Sequence, residues 1–148
     1  MFKNVLIPTD GSKLSLKAVK SGVAFAKSIN ARVTGCYVIE PFRPYYYYGD
    51  YIAPDMPTPK EFEQQARAAG AKYLQQIEAA AGAAGLKYAG TVVAADSPYA
   101  GIIKAASKGR CDVIFMASHG RRGLSSLLLG SETQKVLTHS KIPVLVYR

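Results

Sequence analysis

CDVIFMAS, residues 111–118, decides the fold. The run is almost wholly apolar, the pattern of a strand covered on both faces, and such strands belong to parallel sheets flanked by helices. It leads directly into HGRRGLSSLLLGS, residues 119–131. That segment is a glycine-containing turn followed by a Gly-Ser pair at the head of a predicted helix. Both features expose backbone N–H groups, and the helix adds the positive end of its dipole, a combination that binds phosphate oxygens well. Arg121 and Arg122 lie between them, either as contacts to the same anion or as exposed charge; one of the two is expected to reach the ligand.

Outward from this stretch the chain alternates strands and helices. FKNVLIPT (2–9) predicts a first strand that breaks at Pro8 and Asp10-Gly11. A helix follows over 13–30, with Leu16, Val19, Val23 and Ala26 in one apolar stripe. RVTGCYVI (32–39) is a second strand, and a long loop then carries Pro41, Pro44, the run Tyr45 to Tyr48, Asp50 and Pro57. The tyrosines are expected to pack over the domain or a dimer mate, the alternative being stacking on a base. Thr58, Pro59 and Glu61 place a capping residue, a first-turn proline and a capping-box acid in order. Phe62, Ala66, Ala69, Tyr73, Ile77 and Ala80 then read as the inner face of a helix ending at Gly82 or Gly85.

KYAGTVVA (87–94) is a third strand, and Ser97-Pro98 opens a helix that carries Ile102, Ile103 and Ala106 to about Gly109. After the fourth strand, Ser131 and Gln134 read as a capping box at the start of the last helix, and KIPVLVYR (141–148) as a fifth strand. Five strands interleaved with four helices require a doubly wound α/β sheet, parallel, with right-handed crossovers and helices on both faces. Ligands of such sheets collect outside the carboxyl ends of the strands, where strand order reverses. Those ends offer Thr9-Asp10, Val38 to Glu40 and Ala117 to Gly120.

At 148 residues the chain reads as one domain, 1–148, able to bury roughly 70% of its unfolded surface. Its longest apolar run is far short of the ~20 residues of a membrane span. MFKNVLIPTD passes straight into a strand without the pattern of a cleaved leader, so a cytoplasmic protein is expected. Cys36 and Cys111 lack CxxC spacing and read as buried free thiols, the alternative being a disulfide. The net charge of +9 is spread from Lys3 to Arg148 with no standout basic stripe, aromatic RNP-like strands or metal fingers. A solvated basic surface with a general attraction to anions is expected, and neither nucleic acid nor membrane as partner. No metal-ligand spacing occurs, so any Mg²⁺ would be held mostly by phosphates and water.

These residues closely resemble the universal stress protein family over the whole chain. Nucleotide-binding members carry Gly, two residues, Gly, nine residues, then Gly and Ser or Thr. Here the stretch is Ala117, Ser118-His119, Gly120, the segment Arg121 to Leu129, then Gly130-Ser131, with Ala117 in place of the first glycine. The opening VLIPTDGS, the YVIE end of the second strand and the closing SKIPVLVYR carry the resemblance further. It implies a flavodoxin-like sheet of order 3-2-1-4-5, a homodimer, and a stress-response regulatory protein that binds ATP or another adenine nucleotide with little or no turnover.

By that resemblance Asp10 lies near the ribose, the backbone of Val38 meets adenine, and Gly120, Gly130, Ser131 and Thr133 cradle phosphate. Pro8, Thr9, Met116, Ala117, His119 and Glu132 complete the implied set. Asp10 and Ser131 also have purely structural readings, as a turn cap and a helix N-cap. His119 reads as a loop histidine near phosphates rather than a general base, and His139 as a partner of a helix carboxyl end. Ala117 is expected to keep its methyl in the sheet and to leave binding intact. A dimer is expected through residues 142–147 (IPVLVY), an apolar edge strand that needs a partner. The alternative is a dimeric interaction module whose nucleotide site is vestigial. An ATP hydrolase is a weaker third reading, for want of a Walker lysine and a positioned base.

Overall fold

Val5, Leu6 and Ile7 are fully buried, as is Ile114 in the second apolar run. Residues buried on both sides of a strand put that strand in the middle of a layered sheet. A computed structural model, which describes residues 1–43, 56–120 and 129–148, bears this out. The elements are β1 (Asn4–Pro8), α1 (Lys13–Ser28), β2 (Arg32–Ile39), α2 (Pro59–Ala83), β3 (Tyr88–Ala94), α3 (Pro98–Lys108), β4 (Val113–Ala117), α4 (Ser131–His139) and β5 (Val144–Tyr147). All pairs are parallel, in the order β3-β2-β1-β4-β5. Val5 stands between Val33 and Val113, and Ile114 pairs with Val144.

Alternation along the strands divides the core into two layers. Val5, Ile7, Val33 and Phe115 pack with Val19 and Val23 of α1 and Leu74 and Ile77 of α2. Leu6, Cys36, Ile114 and Met116 pack with Ile102 and Ala105 of α3 and Val136 of α4. Cys36 and Cys111 are free and buried. The alkaline shift of the Cys36 thiol, to about 12, comes first from that burial and second from neighbouring Cys111.

Local signals set the helix starts. Ser12 caps α1 by accepting from Ser15 N at 3.2 Å. The capping box of α2 is complete: Glu61 N donates to Thr58 Oγ1 at 3.2 Å, and Thr58 N donates to Glu61 Oε2 at 2.7 Å. The bond from Thr58 N and a second from Thr58 Oγ1 to Glu61 Oε2 at 2.8 Å hold the Glu61 carboxyl below its ordinary value.

Other expectations need correction. The buried stripe of α2 is Gly70, Leu74, Ile77 and Ala81, so Tyr73 sits on its flank. There its ring covers the glycine of the β1–α1 turn, Gly11, and stacks at 5.8 Å on Tyr37. The cap of α4 is Gly130, with no side-chain hydrogen bond; Ser131 is already helical and forms no capping box with Gln134, whose Nε2 donates to Leu129 O at 3.1 Å. The fourth strand begins at Val113 because Asp112 is taken by the amino end of β1: its carboxylate accepts from Lys3 N at 2.7 Å and Asn4 N at 3.0 Å. The fifth begins at Val144, after a turn in which Ser140 Oγ donates to Ile142 O at 2.8 Å. Lys13, Lys17, Lys20 and Lys27 share the exposed face of α1, an arrangement the linear survey of charge missed. Among the described residues no helix is long and apolar enough to cross a membrane.

Candidate functional site

β1 leads through α1 to β2 on one side of the sheet, and β4 leads through α4 to β5 on the other. The loops leaving β1 and β4 therefore diverge and leave a crevice at the carboxyl edge. A cleft of about 510 Å³ lies there. Every expected site residue within the described set lines it: Pro8, Thr9, Asp10, Val38, Met116, Ala117, His119, Gly120, Gly130, Ser131, Glu132 and Thr133. Arg121, Arg122 and the Tyr45 to Tyr48 run lie outside the described residues.

The β1 side is a hydroxyl-rich turn. Thr9 is buried, and its Oγ1 accepts from Gly11 N at 3.2 Å and from Ser15 Oγ at 2.9 Å. Asp10 Oδ1 accepts from Ser12 N at 2.9 Å, which bears out its turn-capping reading. Gly11 has φ +78°, a conformation that favours glycine. Across the crevice Gly120 lies directly against Asp10, and a β-carbon on it would come within 2.6 Å of Oδ2.

The β4 side is built on the amino end of α4. Thr133 Oγ1 donates to the carbonyls of Ala117 and Ser118, both at 3.1 Å, and Gly130 N donates to Ser118 O at 2.8 Å. These bonds tie the helix end to the strand end. The first turn of any helix leaves N–H groups without intrahelical acceptors, and the N-cap here, Gly130, has no side chain to cap them. Thr133 is buried, and its hydroxyl is spent on this tie. Ser131, expected as a possible N-cap, is instead the first helical residue. His119 Nδ1 lies 2.9 Å from Ser118 Oγ. At the other end of α4, His139 Nδ1 lies 2.8 Å from Lys135 O, as expected of a residue at a helix carboxyl end.

Ala117 lines the cleft and also belongs to the buried cluster on the α1 side, with Ala18 and Phe115, so its methyl packs in the core. The apolar floor comes from Cys36, Val38, Ile102 and Met116. Val38 fills the space beside Gly101 of α3, where a β-carbon would meet its methyls at 2.5 and 2.7 Å.

Residue-by-residue reading missed the α3 wall. Ser97, Pro98, Ile102 and Lys135 also line the cleft. Tyr99 N donates to Glu132 Oε2 at 2.8 Å, while Glu132 Oε1 pairs with Lys135 Nζ at 2.8 Å. That pairing holds the Lys135 ammonium above its ordinary value. The signal was available, since the turn after the third strand also leaves from a carboxyl edge. Among the described residues no group of three or more His, Cys, Asp and Glu could hold a metal ion. The chemistry on offer is recognition: an apolar slot, a carboxylate among hydroxyls, and an open helix end. Those features fit an adenine ring, a ribose and a phosphate.

Known proteins place this architecture. The model of the universal stress protein family matches residues 1–148, and the chain belongs to that family. It is 29% identical to universal stress protein MJ0531 of Methanocaldococcus jannaschii over 153 aligned positions, covering 100% of this chain and 83% of the relative. The solved structure of hypothetical protein MJ0577 superposes with a TM-score of 0.80 at 29% identity, over 99% of this chain and 95% of that one. A crystal structure of a universal stress protein in complex with cAMP matches at TM-score 0.71 and 26% identity, over 99% and 97% of the two chains.

Proposed function

We propose that this member of the universal stress protein family is a cytoplasmic regulatory protein, one domain over 1–148, that holds ATP or another adenine nucleotide with little or no turnover. The observation that carries this reading is the amino end of α4, whose N-cap is a glycine with no side-chain cap, at the mouth of a cleft of about 510 Å³. Adenine lies by the backbone of Val38 on the apolar floor, ribose by Asp10, and phosphate on Gly120 and the N–H groups from Ser131 to Thr133. A relative with cAMP in its crystal structure supports the ligand class. Mg²⁺, where present, is held by phosphates and water. No side chain is assigned a catalytic role.

The experiment is calorimetric titration with ATP, preceded by nucleotide analysis of a denaturing extract. Its informative variant is Ser131→Pro. Ser131 is the first helical residue, where proline is tolerated, and Gly130 before it is extended (φ −60°, ψ 148°). The substitution removes one N–H donor and keeps the helix. Binding weakened about tenfold, near the ~1.5 kcal/mol of one hydrogen bond to a charged group, supports the reading. Unchanged affinity in the folded variant refutes it.

The second reading, an interaction module with a vestigial site, is favoured by β5, an apolar strand at the sheet edge. Dimerisation through residues 142–147 belongs to both readings; absence of any nucleotide binding would select the second.

A further inference from the structure

We propose that Glu132 sets the phosphate-chain preference of the cleft, disfavouring a nucleoside triphosphate relative to the monophosphate; the inference rests on the nucleotide reading above. Glu132 is the second residue of α4. Its N–H belongs to the anion seat, yet its carboxylate stands at the same helix end.

That carboxylate is held from two sides. Oε2 accepts from Tyr99 N, at the amino end of α3, and Oε1 pairs with Lys135 Nζ, both at 2.8 Å. Lys135 also lies over the Tyr99 ring, 5.4 Å from its centroid. Two helix amino ends border the cleft, and a protein carboxylate already fills that of α3. The amino end of α4 remains as the seat for phosphate. Lys135 is the lysine or arginine that lines the cleft among the described residues, and it is engaged by Glu132. Glu40 and Glu132 line the cleft as well. Among the described residues, each further phosphate therefore adds repulsion with Glu132, and the α3 end that could receive it is already filled.

The test is calorimetry with ATP, ADP and AMP in EDTA at fixed salt, for the wild type, Glu132→Gln and Glu132→Asp. Gln keeps an acceptor for Tyr99 N, removes the charge and releases Lys135. The preference for ATP over AMP is expected to rise roughly tenfold in Glu132→Gln, to stay at the wild-type level in Glu132→Asp, and to shrink as salt is raised. A change below about twofold in Glu132→Gln overturns the proposal, as does an equal change in Glu132→Asp, which would mark a packing effect. A wild type that binds none of the three nucleotides overturns both this proposal and the reading beneath it.

Discussion

Gly120 and Asp10, at the ends of two strands that pair side by side, touch across the crevice: a β-carbon on Gly120 would lie 2.6 Å from Asp10 Oδ2. The missing side chain lets the β4 turn close over the carboxylate, which its other oxygen anchors to Ser12 N. The glycine is thus a steric requirement of the Asp10 position as well as a source of a backbone donor.

Gly120→Ala should displace the Asp10 carboxylate and weaken ATP binding by roughly tenfold, on the scale of 1–3 kcal/mol for a forced misfit. The cause is testable by a double-mutant cycle. In an Asp10→Ala background the same change should have little effect on calorimetric affinity. Equal losses in both backgrounds would place the fault in the turn's own backbone.

Ala117→Gly should not tighten ATP binding, because the methyl packs in the α1-side core. Loss of that methyl and the freer glycine backbone should lower stability by roughly 1 kcal/mol. Urea unfolding and titration with ATP, run on the same preparations, check both halves. A large gain in affinity would show that the methyl crowds the ligand.

The edge strand β5 should pair with a second copy of the chain. Val144–Tyr147 is half-buried within one chain, and an apolar edge strand is prone to pairing. Light scattering at micromolar concentration should give the mass of a dimer, and Val146→Lys should shift it to monomer with an unchanged circular dichroism spectrum. A dimer insensitive to this charge would have its interface elsewhere.

Alkaline pH should destabilise the fold in part through Cys36. Its thiol ionises at its ordinary value of 9.0 when unfolded and is pushed up to about 12 by burial. Between these values the unfolded chain has released a proton that the folded chain retains. Stability is therefore unaffected by this group below pH 9 and falls as pH rises above it, by up to ~1.4 kcal/mol per unit. Tyr88, also shifted to about 12, contributes in the same direction. Urea titrations from pH 8 to 11 should show a steeper fall for the wild type than for Cys36→Ala. Parallel curves would remove Cys36 from the account.

Features that depend on near neighbours are legible in the order of residues alone. The box joins Thr58 and Glu61, three positions apart, and the bonds that make it are complete within one turn. The apolar runs of β1 and β4 announced central strands, and the glycine-bearing turn after β4 announced where an anion could sit. Tertiary structure decided what depends on partners far along the chain. Tyr73 matched the helical period of α2 but packs over the Gly11 turn. Ser131 and Gln134 had the spacing of a capping box, but ties from Thr133 and Gly130 to the end of β4 fix where α4 begins. Glu132 meets the amide of Tyr99, 33 residues away, because the sheet order brings α3 and α4 onto one face. Hydrogen bonds of a turn are written in adjacent residues, whereas contacts between elements arise only when strands and helices bury their apolar faces together.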